Sequence, residues 1–408
     1  MSRLKTRMFG GITVLGLFAA LGLWLLEDRA PAPVASSPPD LPPAALEWPQ
    51  FATSKAGASL AAPVNDTKPA RTVEVCGLGK LPVDDGGYPL SSQVGARMHQ
   101  DAVRWRTALL NSGDVRARTV GLLIDITGIF SERPAPDRAL PALVDLAQSA
   151  HDPMVYSMAL SACRGKQPSS TDEACQQITS QGWTSLDPDN AAAWLQQADD
   201  ARLADDTASE KAAFEQASNA KTMERYNWSL WSFAEPLMPS DIIPVERDGL
   251  IASLFGMEGA LQLLGTASRF CTGDAMRDDV MRGQCGKLAE LMVAKGTTLR
   301  DLGSGTWIGE HAGWPEARIA ALREDQAAMQ QAHIELLGDF EKAETVWSCD
   351  AVNRRNAFAR ESAQRGEIGA SRDLVDILGE SKAALAERNR ELSRKMFREA
   401  AERAAAKP

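Results

Sequence analysis

Residues 186–220 read LDPDNAAAWLQQADDARLADDTASEKAAFEQASNA, and this stretch decides the fold class. Asp187, Asp189 and Asn190 surround Pro188, a grouping of capping side chains and a first-turn proline that starts a helix. Trp194 and Ala198 follow four apart, and Phe214 and Ala217 three apart, so the apolar positions keep a helical rather than an alternating period. Asp199-Asp200 and Asp205-Asp206 fall in or near the point where the two helices turn, where water solvates them. The stretch therefore reads as a helical hairpin.

Outward from it the same period continues. Val103, Leu109 and Leu110, then Val120, Leu123 and Ile124, then Leu140, Leu143 and Leu146, then Leu250, Leu254, Leu261 and Leu264 read as buried helix faces. Asp152-Pro153, Ser240-Asp241 and Trp314-Pro315 mark further helix starts. One short strand is expected at Thr72–Val75, with no second strand to pair it. The fold class is thus all-α, built of helical hairpins.

Residues 186–220 resemble a tetratricopeptide-like repeat. Trp194 takes the aromatic position of the first helix, Ala198 the small position that admits the second helix, and Phe214 and Ala217 the facing side of that second helix. Gln197, Ala198, Ala201 and Glu210 depart from the usual leucine, glycine, tyrosine and small residue. Pro153 precedes Pro188 by one period, yet Ala159 and Thr179 stand where Trp194 and Phe214 would repeat. The resemblance implies stacked hairpins that hold peptides or protein partners, and it implies no catalytic residues. The hairpins form either a solenoid or an irregular bundle.

The N-terminus has its own signature. Arg3, Lys5 and Arg7 precede an uncharged run from Phe9 to Leu26, long enough for one short membrane-spanning helix, and Glu27-Asp28 follow it. The positive-inside rule keeps residues 1–8 in the cytoplasm and sends everything beyond Leu26 outside. Pro33 after Ala30-Pro31-Ala32 obstructs cleavage, so the run reads as a retained anchor spanning 1–29. Residues 30–70 hold nine of the 22 prolines and read as an extended spacer. A high ratio of arginine to lysine and abundant alanine suggest a GC-rich bacterial host, whose outside is the periplasm.

Six cysteines in that compartment form an even set. Proximity pairs Cys163 with Cys175 and Cys271 with Cys285, leaving Cys76 for Cys349, and makes 71–380 a disulfide-stapled helical domain. No CxxC and no histidine near either close pair means no zinc site is expected. Residues 381–408 carry a net charge of +4 and read as a charged amphipathic helix that caps the stack, pairs with another helix or touches anionic lipid, with Leu385, Leu392 and Met396 on one face and a solvated cap as the default.

The chain has 408 residues and a formal charge of -10, which disfavours nucleic acid as a partner. The dinucleotide fingerprint, Walker motif and nucleophile elbow are missing, and no cofactor is expected. The most unusual segment is Trp307–Pro315, read as a loop in which Trp307 and Trp314 bracket Glu310 and His311. Stacked indoles there suit a sugar ring, and the acid and imidazole suit proton transfer. The favoured function is a non-catalytic scaffold, anchored by its N-terminal helix in the inner membrane and binding an unidentified envelope protein in the periplasm. The alternative is a cell-envelope enzyme acting on cell-wall glycan or peptide.

Overall fold

The computed structural model describes residues 72–83, 92–127, 136–164, 172–255, 263–338 and 343–405. The anchor and spacer expected over 1–70, the turn expected inside the first cysteine pair, Leu261 and the side chain of Leu254 lie outside the described residues. Residues 72–408 form one compact unit. Among the described residues no helix is long and apolar enough to cross a membrane.

The unit opens with a hairpin. β1 (Thr72–Val75) pairs antiparallel with β2 (Gly79–Pro82), Val73 opposite Leu81 and Val75 opposite Gly79. β2 corrects the expectation of an unpaired strand. Its GKLP sequence carries no strand signal by itself, and the pairing is fixed by the turn, where Gly77 and Gly79 take φ of 82° and 74°. Val73 and Val75 face inward and Thr72 and Glu74 outward, as period two requires.

Among the described residues the remaining regular elements are helices. α1 (Ser92–Leu110), α2 (Val115–Thr127), α3 (Pro136–Ala150), α4 (Pro153–Arg164), α5 (Asp172–Cys175) and α6 (Ser180–Leu186) lead into α7 (Ala191–Leu203) and α8 (Thr207–Asn219). Then come α9 (Asn227–Ala234), α10 (Pro244–Phe255), α11 (Leu263–Phe270), α12 (Asp279–Lys295), α13 (Leu299–His311), α14 (Glu316–Leu337), α15 (Ala343–Val346), α16 (Cys349–Leu378) and α17 (Lys382–Ala405). The starts follow local chemistry. Asp152 Oδ1 accepts from the Met154 and Val155 N–H groups at α4, Asn190 caps α7, and Thr298 with Asp301 forms a reciprocal capping box at α13. Ser240-Asp241 starts no helix. They lie in a turn, and α10 begins at Pro244, whose fixed φ suits a first helical position.

Neighbouring helices pack in chain order from α1 to α4, then α4 on α6, α6 on α7 and α7 on α8; α8 passes the contact to α12, α12 to α13 and α13 to α14. α16 and α17 lie against α14, while α10 touches both α16 and α1. The short apolar α9 (NWSLWSFA) packs on α16 and α2. Its Trp231 meets Trp105 edge to face, centroids 6.0 Å apart, and the buried Trp105 indole donates to Ala234 O at 2.9 Å. Phe214 stacks on Phe270 at 4.2 Å, joining α8 to α11.

The three disulfides are those expected: Cys163–Cys175, Cys271–Cys285 and Cys76–Cys349. The last ties the β-hairpin to the start of α16, where the Cys76 N–H also donates to Trp347 O at 3.0 Å. One surface reading differs from expectation: Val103 is 43% exposed, although Ala102 and Trp105 beside it on α1 are buried. The charged C-terminal helix, α17, packs along α14, with Leu385 and Ala386 fully buried.

Candidate functional site

The residues that carry the repeat resemblance form interior packing. Ala198, Phe214 and Ala217 are fully buried, and α7 and α8 make the most extensive helix pair in the unit. Trp194 lies half-buried, its indole donating to Pro188 O at 2.8 Å, so the aromatic closes the turn that begins its own hairpin. These side chains pack the two helices of the hairpin against each other.

The Trp307–Pro315 segment is not a loop. Trp307 to His311 form the last turn of α13, and only Ala312 to Pro315 turn the chain into α14. The reason is close packing: a Cβ at Gly309 would fall 2.3 Å from the Trp314 ring, so glycine lets the indole lie on the helix. Arg318 covers the other face of Trp314 at 3.6 Å and is itself held by Glu290 at 2.5 and 2.6 Å. Trp307 tilts against His311, centroids 4.2 Å apart, and His311 Nδ1 lies 2.9 Å from Trp307 O. Glu310 pairs with Arg323 at 2.5 Å. Each of these groups has a local partner, and the carboxylate and imidazole sit exposed at the helix end.

A second polar cluster lies behind the hairpin. Tyr226, in the left-handed region at φ 64°, donates its hydroxyl to Asp187 at 2.7 Å, and its N–H donates to Glu224 Oε1 at 2.7 Å. Burial pushes the Glu224 carboxyl above its ordinary value; the Tyr226 hydrogen bond opposes this, and the carboxylates of Asp301 and Asp187 add to it. Buried Arg225 faces buried Asp301 at 3.7 Å. Asp301 also accepts from the Thr297 and Thr298 N–H groups, so the cluster locks the start of α13 to the end of the repeat. Among the described residues no group of three or more potential ligands has metal-binding geometry.

A groove of about 520 Å³, open to solvent, lies between α14, α16 and α17. Ile334, Leu336, Ala351 and Leu392 supply apolar surface, and Gln331, Asp350 and Arg354 supply polar groups. Gln331 donates Nε2 to Glu335 Oε1 at 2.7 Å, and Arg388 grips both oxygens of that carboxylate at 2.9 and 3.1 Å. Burial pushes Glu335 upward, but the hydrogen bonds from Arg388 and Gln331 hold it below the ordinary carboxylate value. The orientation of Gln331 is thereby fixed, and its buried Oε1 is left with no donor among the described residues. Ser348, at the rim, caps α16.

No family pattern, curated protein or solved structure matches the chain.

The groove was not legible beforehand because its residues come from four helices spread over 331–392, and each alone reads as ordinary helix surface. Its one local signal was the face of Leu385, Leu392 and Met396, of which Leu385 is buried and Leu392 reaches the groove.

Proposed function

We propose that this chain is a non-catalytic protein-binding or scaffolding module, built of tetratricopeptide-like hairpins, that residues 9–26 anchor in a bacterial inner membrane with its bulk in the periplasm. The observation that carries the reading is the groove between α14, α16 and α17, where the apolar Ile334, Leu336, Ala351 and Leu392 lie beside Asp350 and Arg354. Peptide-binding grooves combine apolar contact area with a few polar groups. The three disulfides suit an oxidising compartment, in keeping with the periplasmic placement.

The test is in-cell crosslinking, mild-detergent purification and mass spectrometry. A reproducible envelope protein joined to peptides from residues 331–392 supports the reading. Recovery of the chain alone, with native disulfides confirmed on the same peptides, overturns it.

A further inference from the structure

The disulfides do not follow the order of the chain. Cys76 is the first cysteine and Cys349 the last, 273 positions apart, while the other two bridges join neighbours 12 and 14 positions apart. The hairpin that carries Cys76 seats on Ile243, Val245, Trp347 and Val352, and the Cys76 N–H donates to Trp347 O. Trp347 and Val352 flank Cys349, so half of that seat reaches any compartment only together with the last cysteine. Two strands of four residues do not hold together alone, and until the seat arrives Cys76 stays open to exchange. A chain entering an oxidising compartment N-terminus first is oxidised as its cysteines arrive, because the mixed disulfide on one cysteine is resolved by the next thiolate to appear. That order gives Cys76–Cys163, Cys175–Cys271 and Cys285–Cys349. Not one of these is a native bridge.

We infer that this chain is a substrate of a thiol–disulfide isomerase, which resets its bridges once Cys349 has arrived. This rests on the reading above that the bulk of the chain enters the periplasm. The exchange balances without an oxidant or a reductant. The isomerase thiolate attacks the Cys163 sulfur of Cys76–Cys163, forming a mixed disulfide and releasing the Cys76 thiolate. Cys76 attacks the Cys349 sulfur and releases Cys285. Cys285 attacks the Cys271 sulfur and releases Cys175, which attacks Cys163 and returns the isomerase thiolate. Three arrival-order bridges become the three native ones, and no electron is gained or lost. Packing makes the native set the end point: Cys271 and Cys285 are fully buried and Cys76 is 3% exposed, out of reach of a further thiolate.

The experiment expresses the full chain in bacteria with and without their periplasmic thiol–disulfide isomerase, traps free thiols by alkylation and reads the linked cysteine peptides by mass spectrometry. Without the isomerase the native set is expected to fall about tenfold, toward the roughly one in 15 that unguided pairing of six cysteines gives, while Cys76–Cys163 peptides accumulate. Cys76→Ser with Cys349→Ser leaves four cysteines whose order of arrival is the native pairing, so Cys163–Cys175 and Cys271–Cys285 are expected equally in both strains. Cys271→Ser with Cys285→Ser leaves Cys76 and Cys163 as successive arrivals, and the dependence is expected to persist. Linkage is read on the peptides, so a variant that falls short of the full fold still reports. Native bridges at equal yield in both strains, or equal dependence after Cys76 and Cys349 are removed, overturns the inference alone. Six free thiols in both strains would overturn the periplasmic reading along with it.

Discussion

Asn190 and Glu224 hold each other by a reciprocal pair of hydrogen bonds: Asn190 Nδ2 donates to Glu224 O at 2.8 Å, and the Glu224 N–H donates to Asn190 Oδ1 at 3.0 Å. The same Oδ1 caps α7 by accepting from the Ala192 N–H at 3.1 Å, and the same Nδ2 donates to Asp187 at 2.7 Å. One fully buried side chain therefore starts the repeat hairpin and stitches the chain leaving α8 back onto it. Lys221 and Thr222 reinforce the stitch by donating their N–H groups to Asp189 O.

Asn190→Ala removes the cap and strands two buried backbone groups, and the expected loss is about 2–4 kcal/mol of unfolding free energy. Asn219→Ala, at an exposed residue closing α8, should change stability by less than about 0.5 kcal/mol. Urea titration followed by circular dichroism separates them. Equal, small effects would mean the stitch is dispensable.

The joint also sets a pH response. Burial raises the Glu224 carboxyl, so the folded state binds its proton more tightly than the unfolded chain. Its contribution is present below the ordinary glutamate value and is lost as pH rises through the raised folded value. Glu224→Gln keeps an oxygen to accept from Tyr226 and abolishes the titration. The wild type should therefore lose stability relative to E224Q as pH climbs through that window. His333 responds in the opposite sense: desolvation pulls it down to about 4, so stability falls as pH drops from the ordinary histidine value toward about 4. Its Nε2 lies 2.7 Å from Ser371 Oγ, which donates to Glu367 O, and its ring meets Phe358 edge-on at 4.7 Å. Stability curves of wild type, E224Q and His333→Gln between pH 4 and 8 check both signs. A curve for E224Q parallel to wild type would remove the Glu224 assignment.

The disulfides divide by what they span. Chain-entropy reasoning gives about 3 kcal/mol for Cys163–Cys175 and about 5–6 kcal/mol for Cys76–Cys349, whose separation is 273 residues. The Cys76 bridge also holds the β-hairpin against Val245 and Val352 in a small apolar cluster of its own. Cys76→Ser with Cys349→Ser should thus lower the melting temperature more than Cys163→Ser with Cys175→Ser, and limited proteolysis should cut near the hairpin first. The reverse order would show that the hairpin is held by packing alone.

Helix periodicity and capping residues carried most of the fold into view from sequence, and nearest-neighbour spacing carried the cysteine pairing. The misses have physical causes. β2 owes its existence to the turn glycines and to burial of its partner strand, not to its own residues. Trp307 to His311 looked like a loop because Gly309 interrupts them and Gly313 follows, yet one glycine accommodates Trp314 and the other, at φ 87°, ends the helix. α16 bends at Gly366, φ 73°, where a Cβ would lie 2.9 Å from Thr297 O; only the tertiary approach of the turn between α12 and α13 demands glycine there. Beyond that bend Glu367 reaches the Leu299 N–H at 3.0 Å. The groove stayed hidden for the same reason, since its lining comes from helices far apart in sequence, with Glu335 of α14 gripped by Arg388 of α17.

The most direct test of the groove's role places a photo-crosslinking amino acid at Thr345, which lines it and is exposed, and separately at Val280, an exposed residue of α12. Illumination of living cells should join a discrete protein partner through position 345, lost when Arg354→Glu is added, and nothing comparable through position 280. No adduct at 345, or the same adducts from both positions, would contradict a protein-binding groove between α14, α16 and α17.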